Sequence, residues 1–112
     1  MMVAARAALA IAAAMVASVP VHGQEAAPQP IAPTELFARN CSRCHGPGGW
    51  GTRALAKRSL PDEAELLNRK TIPAEFVRRV VRHGIGSMPP FTPTDLSDAQ
   101  LDRLSAWLEH GR

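Results

Sequence analysis

Three observations predict an all-α fold of three or four short helices. Apolar residues recur at helical spacing around residues 36–44, 76–81 and 101–108. Glycine- and proline-rich breaks at residues 46–51 (GPGGWG) and 84–93 (GIGSMPPFTP) separate these stretches. No segment alternates apolar and polar residues as a half-buried strand would.

The first helix is expected over residues 34–44, where Leu36, Phe37, Asn40/Cys41 and Cys44 follow one face. The GPGGWG run cannot form a helix interior and lets the backbone approach a neighbour closely. A short polar helix is expected over residues 61–68, with Pro61 in its first turn and Asp62, Glu63 and Glu65 near its positive N-terminal end. The next helix, 73–83, places Phe76, Val77, Val80 and Val81 on one face and Glu75, Arg78, Arg79 and Arg82 on the other. Gly84 can end it in the left-handed C-cap conformation. The last helix is the best signalled: Ser97 as N-cap and Gln100 three residues later make a capping box. Leu101, Leu104 and Leu108 follow as a stripe with Trp107 beside it.

The composition says what this fold lacks. The chain has 112 residues and is 46% apolar, but 18 of its apolar residues lie in residues 1–23 and 33 in the other 89. That first segment has the layout of a secretory signal peptide, with one early cation at Arg6 and an alanine-rich run from Ala7 to Ala17, too short for a membrane span. Residues 24–33 (QEAAPQPIAP) read as a flexible proline-rich leader and residues 34–112 as the folded domain. The expected product is a periplasmic protein, exported and cleaved, with no stable membrane insertion afterwards. An uncleaved anchor is the alternative. A domain this short with so few apolar residues is marginal, so something besides side chains is expected to fill its middle.

Cys41-Ser42-Arg43-Cys44-His45 is a CxxCH motif, the attachment signature of a c-type haem. Two thiols three residues apart can each add across one porphyrin vinyl group while the next residue offers its imidazole to the iron. A zinc site would need further ligands, and His83 and His110 are poorly placed to supply them. A redox dithiol belongs in a strand-and-helix unit, and a disulfide within one helical turn is strained and leaves His45 unexplained. For the second axial position the candidate is Met88. It lies in the stiff run Gly86-Ser87-Met88-Pro89-Pro90-Phe91, where a methionine has no helix face to pack on. His83, at a helix end, is the rival. With His45 and Met88 both bound, the iron has no vacant site, and thioether ligation raises its reduction potential. Such a centre carries electrons rather than acting as an enzyme.

From Thr34 to His110 the chain resembles the class I c-type cytochromes. The resemblance implies a small all-α fold around one covalent haem c, with Phe37 packing from the first helix onto Leu104, Trp107 and Leu108 of the last. In that family a proline carbonyl after the haem histidine accepts from the other ring nitrogen; here the matching residue is Thr52, with Pro47 as a second candidate. Arg53, Lys57 and Arg58 are the residues placed to neutralise the haem propionates. The run from Phe76 to Phe91 is similar to the cytochrome subunits of flavoprotein and quinoprotein dehydrogenases, such as that of p-cresol methylhydroxylase and related 4-alkylphenol-oxidising enzymes. The resemblance thus implies a carrier that accepts electrons from a dehydrogenase and passes them to the respiratory chain. The alternatives are a free donor to a terminal oxidase or reductase, and a haem peroxidase or gas sensor with an open iron site.

Formal net charge is +3, and residues 39–82 hold ten basic and four acidic side chains. This pattern is expected either to steer an acidic redox partner or to be the wet face of the 73–83 helix. An exported chain of near-balanced charge gives no sign of a nucleic-acid partner.

Overall fold

A computed structural model describes residues 29–111. Those residues form five α-helices and two single-turn 3-10 helices, with no named strand among them. The helices are α1 (Pro33–Asn40), α2 (Ser42–His45), α3 (Trp50–Ala56), α4 (Ala74–His83) and α5 (Asp98–His110). The expected signal segment lies outside the described residues.

α1 starts with Pro33 in its first turn, where a missing N–H costs nothing, and buries Leu36 and Phe37. The single helix expected over 34–44 is in fact two. Cys41 departs from helical geometry at φ −119°, although its N–H still donates to the Phe37 carbonyl at 2.8 Å. The cause is local: Asn40 Nδ2 donates to the Leu36 carbonyl at 2.9 Å and Ser42 Oγ to the Ala38 carbonyl at 2.6 Å. Both side chains compete for the acceptors of the preceding turn, as short polar residues do.

α3 has no counterpart among the expected helices, and its start overlaps the expected loop over 46–51. Gly49 is its extended N-cap and Gly51 sits in its first turn, so the glycine run ends inside a helix start rather than before one. Ala54, Leu55 and Ala56 are strong helix formers that carry it on. The polar helix expected over 61–68 is instead two 3-10 turns, Pro61–Glu63 and Leu66–Asn68, separated by Glu65 in an extended conformation.

α4 matches its expected span, but its buried line is Ala74, Val77 and Val81, and Phe76 is exposed. Positions 74, 77 and 81 follow i, i+3 and i+7, whereas 76 lies about 100° to one side. α5 carries the expected capping box: Gln100 N–H donates to Ser97 Oγ at 3.2 Å and Ser97 N–H to Gln100 Oε1 at 2.9 Å. Its buried stripe is Leu101, Leu104, Ser105 and Leu108. At its other end the residues before α4 satisfy two terminal carbonyls: Ile72 N–H donates to Leu108 O and Thr71 Oγ1 to Glu109 O.

α5 is the axis against which α1 and α4 pack. The core consists of Leu36, Phe37, Ile72, Val77, Val81, Leu96, Leu101, Leu104 and Leu108. The Phe37 and Trp107 rings meet 6.1 Å apart at 59°, a tilted aromatic pair, so the packing of Phe37 onto the last helix is as expected. This core occupies one side of the domain. α2, α3 and the loop after α4 frame the other side, where the cavity lies.

Candidate haem-binding site

The CxxCH residues occupy the kink between α1 and α2 and the single turn that follows. Cys41 is half-buried, Cys44 is exposed, and both are free thiols. Burial, and secondarily the charge of Cys44, push the Cys41 thiol up to about 11. A redox-active dithiol depends on the opposite shift. Burial, followed by the positive charge of Arg69, holds His45 below the ordinary histidine value, so the ring is neutral at neutral pH, as a metal ligand must be. Its Nδ1 is buried without a hydrogen-bond partner.

Gly51 explains how α3 comes so close to this ring. A Cβ there would lie 2.9 Å from His45 Cε1, 3.0 Å from Nδ1 and 2.9 Å from the Cys44 carbonyl. Only glycine allows the first turn of α3 to lie against α2.

Met88 reaches the same region from the loop after α4. Ile85 N–H donates to Met88 O at 3.2 Å and Met88 N–H to Ile85 O at 2.9 Å, closing a four-residue turn. Gly86 has φ +57° and no non-glycine residue among the described ones has positive φ, the pattern of a type II′ turn. Gly84 has φ +73° and ψ 169°. This glycine-only extended geometry replaces the expected left-handed cap and sends the chain away from α4 at once.

Cys41, Cys44, His45 and Met88 line one cavity of about 500 Å³. Leu55, Val81, Ile85, Phe91 and Leu96 supply apolar wall, and Lys57 and Arg58 add cationic side chains. The volume lies in the range of about 300–1,000 Å³ typical of cofactor pockets. A largely apolar macrocycle with two vinyl groups and an iron fits these donors: two thiols, a neutral imidazole with an orphaned second nitrogen, a thioether and a greasy wall.

A family model described as cytochrome C oxidase, cbb3-type, subunit III matches residues 28–108. The chain belongs to this family of cytochrome c domains. It is therefore an electron-transfer protein that carries covalent haem c, not a catalyst in itself. No solved structure matches the chain.

Within this cytochrome the other expected contacts are placed unevenly. Thr52 is buried but does not line the cavity. Its hydroxyl donates to the Gly46 carbonyl at 2.8 Å, bracing the glycine loop, and it makes no hydrogen bond to His45 Nδ1. A carbonyl in the first turn of α3 points along the helix toward the next turn, which is why the acceptor role suited to a loop proline does not pass to Thr52. Arg53 also lies off the cavity, donating to Gly48 O at 3.3 Å. Lys57 and Arg58, one helical turn further on, do reach it. His83 is exposed at the end of α4 and is absent from the lining, and His110 Nε2 lies 2.9 Å from Glu109 Oε2, away from the cavity lining.

Of the three arginines of α4, Arg79 stays exposed while the other two are ion-paired. Arg78 pairs with Glu75 and Asp102, and Arg82 with Asp98. The cavity residues that sequence reasoning missed include Asn40, Trp50, Leu55 and Ile85. Trp50 is half exposed at the start of α3, and a tryptophan inside a glycine run immediately after CxxCH was the signal available for it.

Proposed function

We propose that the chain is an exported carrier of a single haem in which His45 and Met88 take the two axial positions on the iron. The observation that carries this reading is that the CxxCH turn and the Ile85–Met88 turn, 43 residues apart in sequence, contribute to one apolar cavity. When bound, haem supplies a reversible one-electron iron couple. The residues of the chain do the rest. Cys41 and Cys44 would hold the haem covalently, each thiol supplying a thioether link to one vinyl group by an addition that consumes no oxidant and releases nothing. His45, held neutral by burial, presents a lone pair. Met88 would supply a soft thioether to the iron, which would favour the reduced state. Leu55, Val81, Phe91 and Leu96 keep water from the site.

The ferric holoprotein should show the weak near-red thioether-to-iron charge-transfer band at neutral pH, and the ferrous form should not bind carbon monoxide. Met88→Ala should abolish the band and admit carbon monoxide. A wild-type protein that lacks the band, or binds carbon monoxide tightly, would instead be the five-coordinate peroxidase or sensor.

The partner reading is a dehydrogenase that delivers electrons, and it rests on the similarity of the Phe76–Phe91 run to dehydrogenase cytochrome subunits. The oxidase named in the family description supports the second reading, a donor to a terminal oxidase. Export is supported by Arg6 and the apolar run from Ala7 to Ala17, and among the described residues no helix is long and apolar enough to cross a membrane. Affinity capture from a periplasmic extract tests both points. A yellow flavoprotein that reduces the captured protein establishes the dehydrogenase role; oxidation only by membrane-bound oxidase establishes the other.

A further inference from the structure

We propose that Arg82 is a positioning residue for Met88, a guanidinium clamp that fixes the ligand loop from behind. This rests on the reading that Met88 binds the iron. Arg82 belongs to the last turn of α4 and does not line the cavity. Its side chain is only 20% exposed and makes three hydrogen bonds. Nη1 donates to the Phe91 carbonyl at 3.0 Å, and Nη2 to the Leu96 carbonyl at 2.8 Å and to Asp98 Oδ1 at 2.6 Å. One planar group therefore ties the loop end to the start of α5, using the fork geometry that arginine has and lysine lacks.

The path from this clamp to the sulfur is short. Phe91 is held at both backbone groups, its N–H donating to Val81 O at 2.7 Å and its carbonyl accepting from Arg82. Between Phe91 and Met88 stand only Pro89 and Pro90, whose rings fix φ and leave little freedom to absorb a displacement. On the other side the turn is closed by the Ile85–Met88 hydrogen bonds and emerges from Gly84. Met88 is thus held from both sides, and Arg82 supplies a side-chain anchor on the Phe91 side. Losing it leaves the Phe91 and Leu96 carbonyls without that donor and the loop free to swing the thioether off the iron.

The test uses the haem-loaded protein and reads how fast imidazole enters the ferric iron, an event gated by Met88 leaving. Arg82→Met should speed entry by about tenfold or more, since hydrogen bonds to a charged group are the strong ones, and should weaken the near-red band. Arg82→Lys, which keeps the charge but cannot fork between two carbonyls, should fall in between; it also serves if Arg82→Met fails to take up haem. Arg78→Met removes ion pairs of the same helix that do not touch the loop and should leave entry unchanged, which separates positioning from general loosening of α4. Wild-type entry rates in both Arg82 variants, or equal acceleration by Arg78→Met, would overturn the clamp. Absence of the near-red band in the wild-type protein would overturn the Met88 reading and the clamp with it.

Discussion

Gly84 and Gly86 both have positive φ, yet they carry different loads. At either one a side chain would meet positive-φ backbone strain of about 1–3 kcal/mol. A Cβ at Gly86 would have nothing within 4 Å, whereas at Gly84 it would lie 2.6 Å from the Met88 carbonyl and 3.1 Å from Pro90 N. Backbone cannot move aside as a flexible side chain does. Gly84→Ala should therefore cost about 1–3 kcal/mol beyond the strain both variants share and should weaken the near-red band, while Gly86→Ala should keep it. Denaturant titration of the two holoproteins with the band as a second readout checks this, and equal losses would refute the assigned crowding. At this scale the legible residues are those whose chemistry is local: Cys41, Cys44 and His45 form a contiguous motif, and Met88 stands in a glycine- and proline-rich loop outside any helix. Gly51, Arg82 and the bracing role of Thr52 were not legible, because each depends on what a distant segment places against it.

Among the elements, α5 was readable because a capping box and a leucine stripe need only neighbours in sequence. α3 was not, because its start overlaps a glycine run whose conformation is set by contact with α2: a Cβ at Gly49 would lie 2.3 Å from the Cys44 carbonyl. The link from the Met88 loop to α5 is a further element with its own chemistry. Asp95 Oδ2 accepts from both Thr92 N–H and Thr92 Oγ1 at 2.8 Å, closing the turn just before Leu96 and the Ser97 cap. These hydrogen bonds, the hydroxyl first and then the amide, hold the Asp95 carboxyl below its usual value, with a smaller contribution from Arg82. A carboxyl depressed in the folded state binds fewer protons there than in the unfolded chain, so its stabilisation is present above the unfolded value near 3.8 and is lost as pH falls through the folded one. Asp95→Asn should thus lower stability at neutral pH and flatten the acid limb, so that the two profiles converge below about pH 4. Acid titrations of both proteins followed by circular dichroism measure this; parallel acid limbs would show that the Thr92–Asp95 turn does not contribute.

For the molecule as a whole, the thin apolar content of the folded domain and the cavity of about 500 Å³ are two views of one fact. The nine-residue core packs α1, α4 and α5 together, but α2, α3 and the Met88 loop have their apolar faces on the cavity. At about 24 cal/mol per Å³, an enclosed empty space of that size would cost on the order of 10 kcal/mol, comparable to the whole stability of an ordinary domain, about 5–15 kcal/mol. This cavity is open on one side, so collapse and water entry reduce the cost without restoring the lost contacts. The covalent haem is therefore expected to be part of the folding reaction rather than a late addition. A Cys41→Ala/Cys44→Ala double variant, purified without haem, should lack a cooperative thermal transition. It should retain helical signal from the α1, α4 and α5 cluster and bind a hydrophobic dye through its exposed cavity wall, as a compact state without fixed packing does. A sharp two-state melt of that variant by circular dichroism would show that the polypeptide folds on its own, and that the cofactor fills a cavity the chain can already sustain.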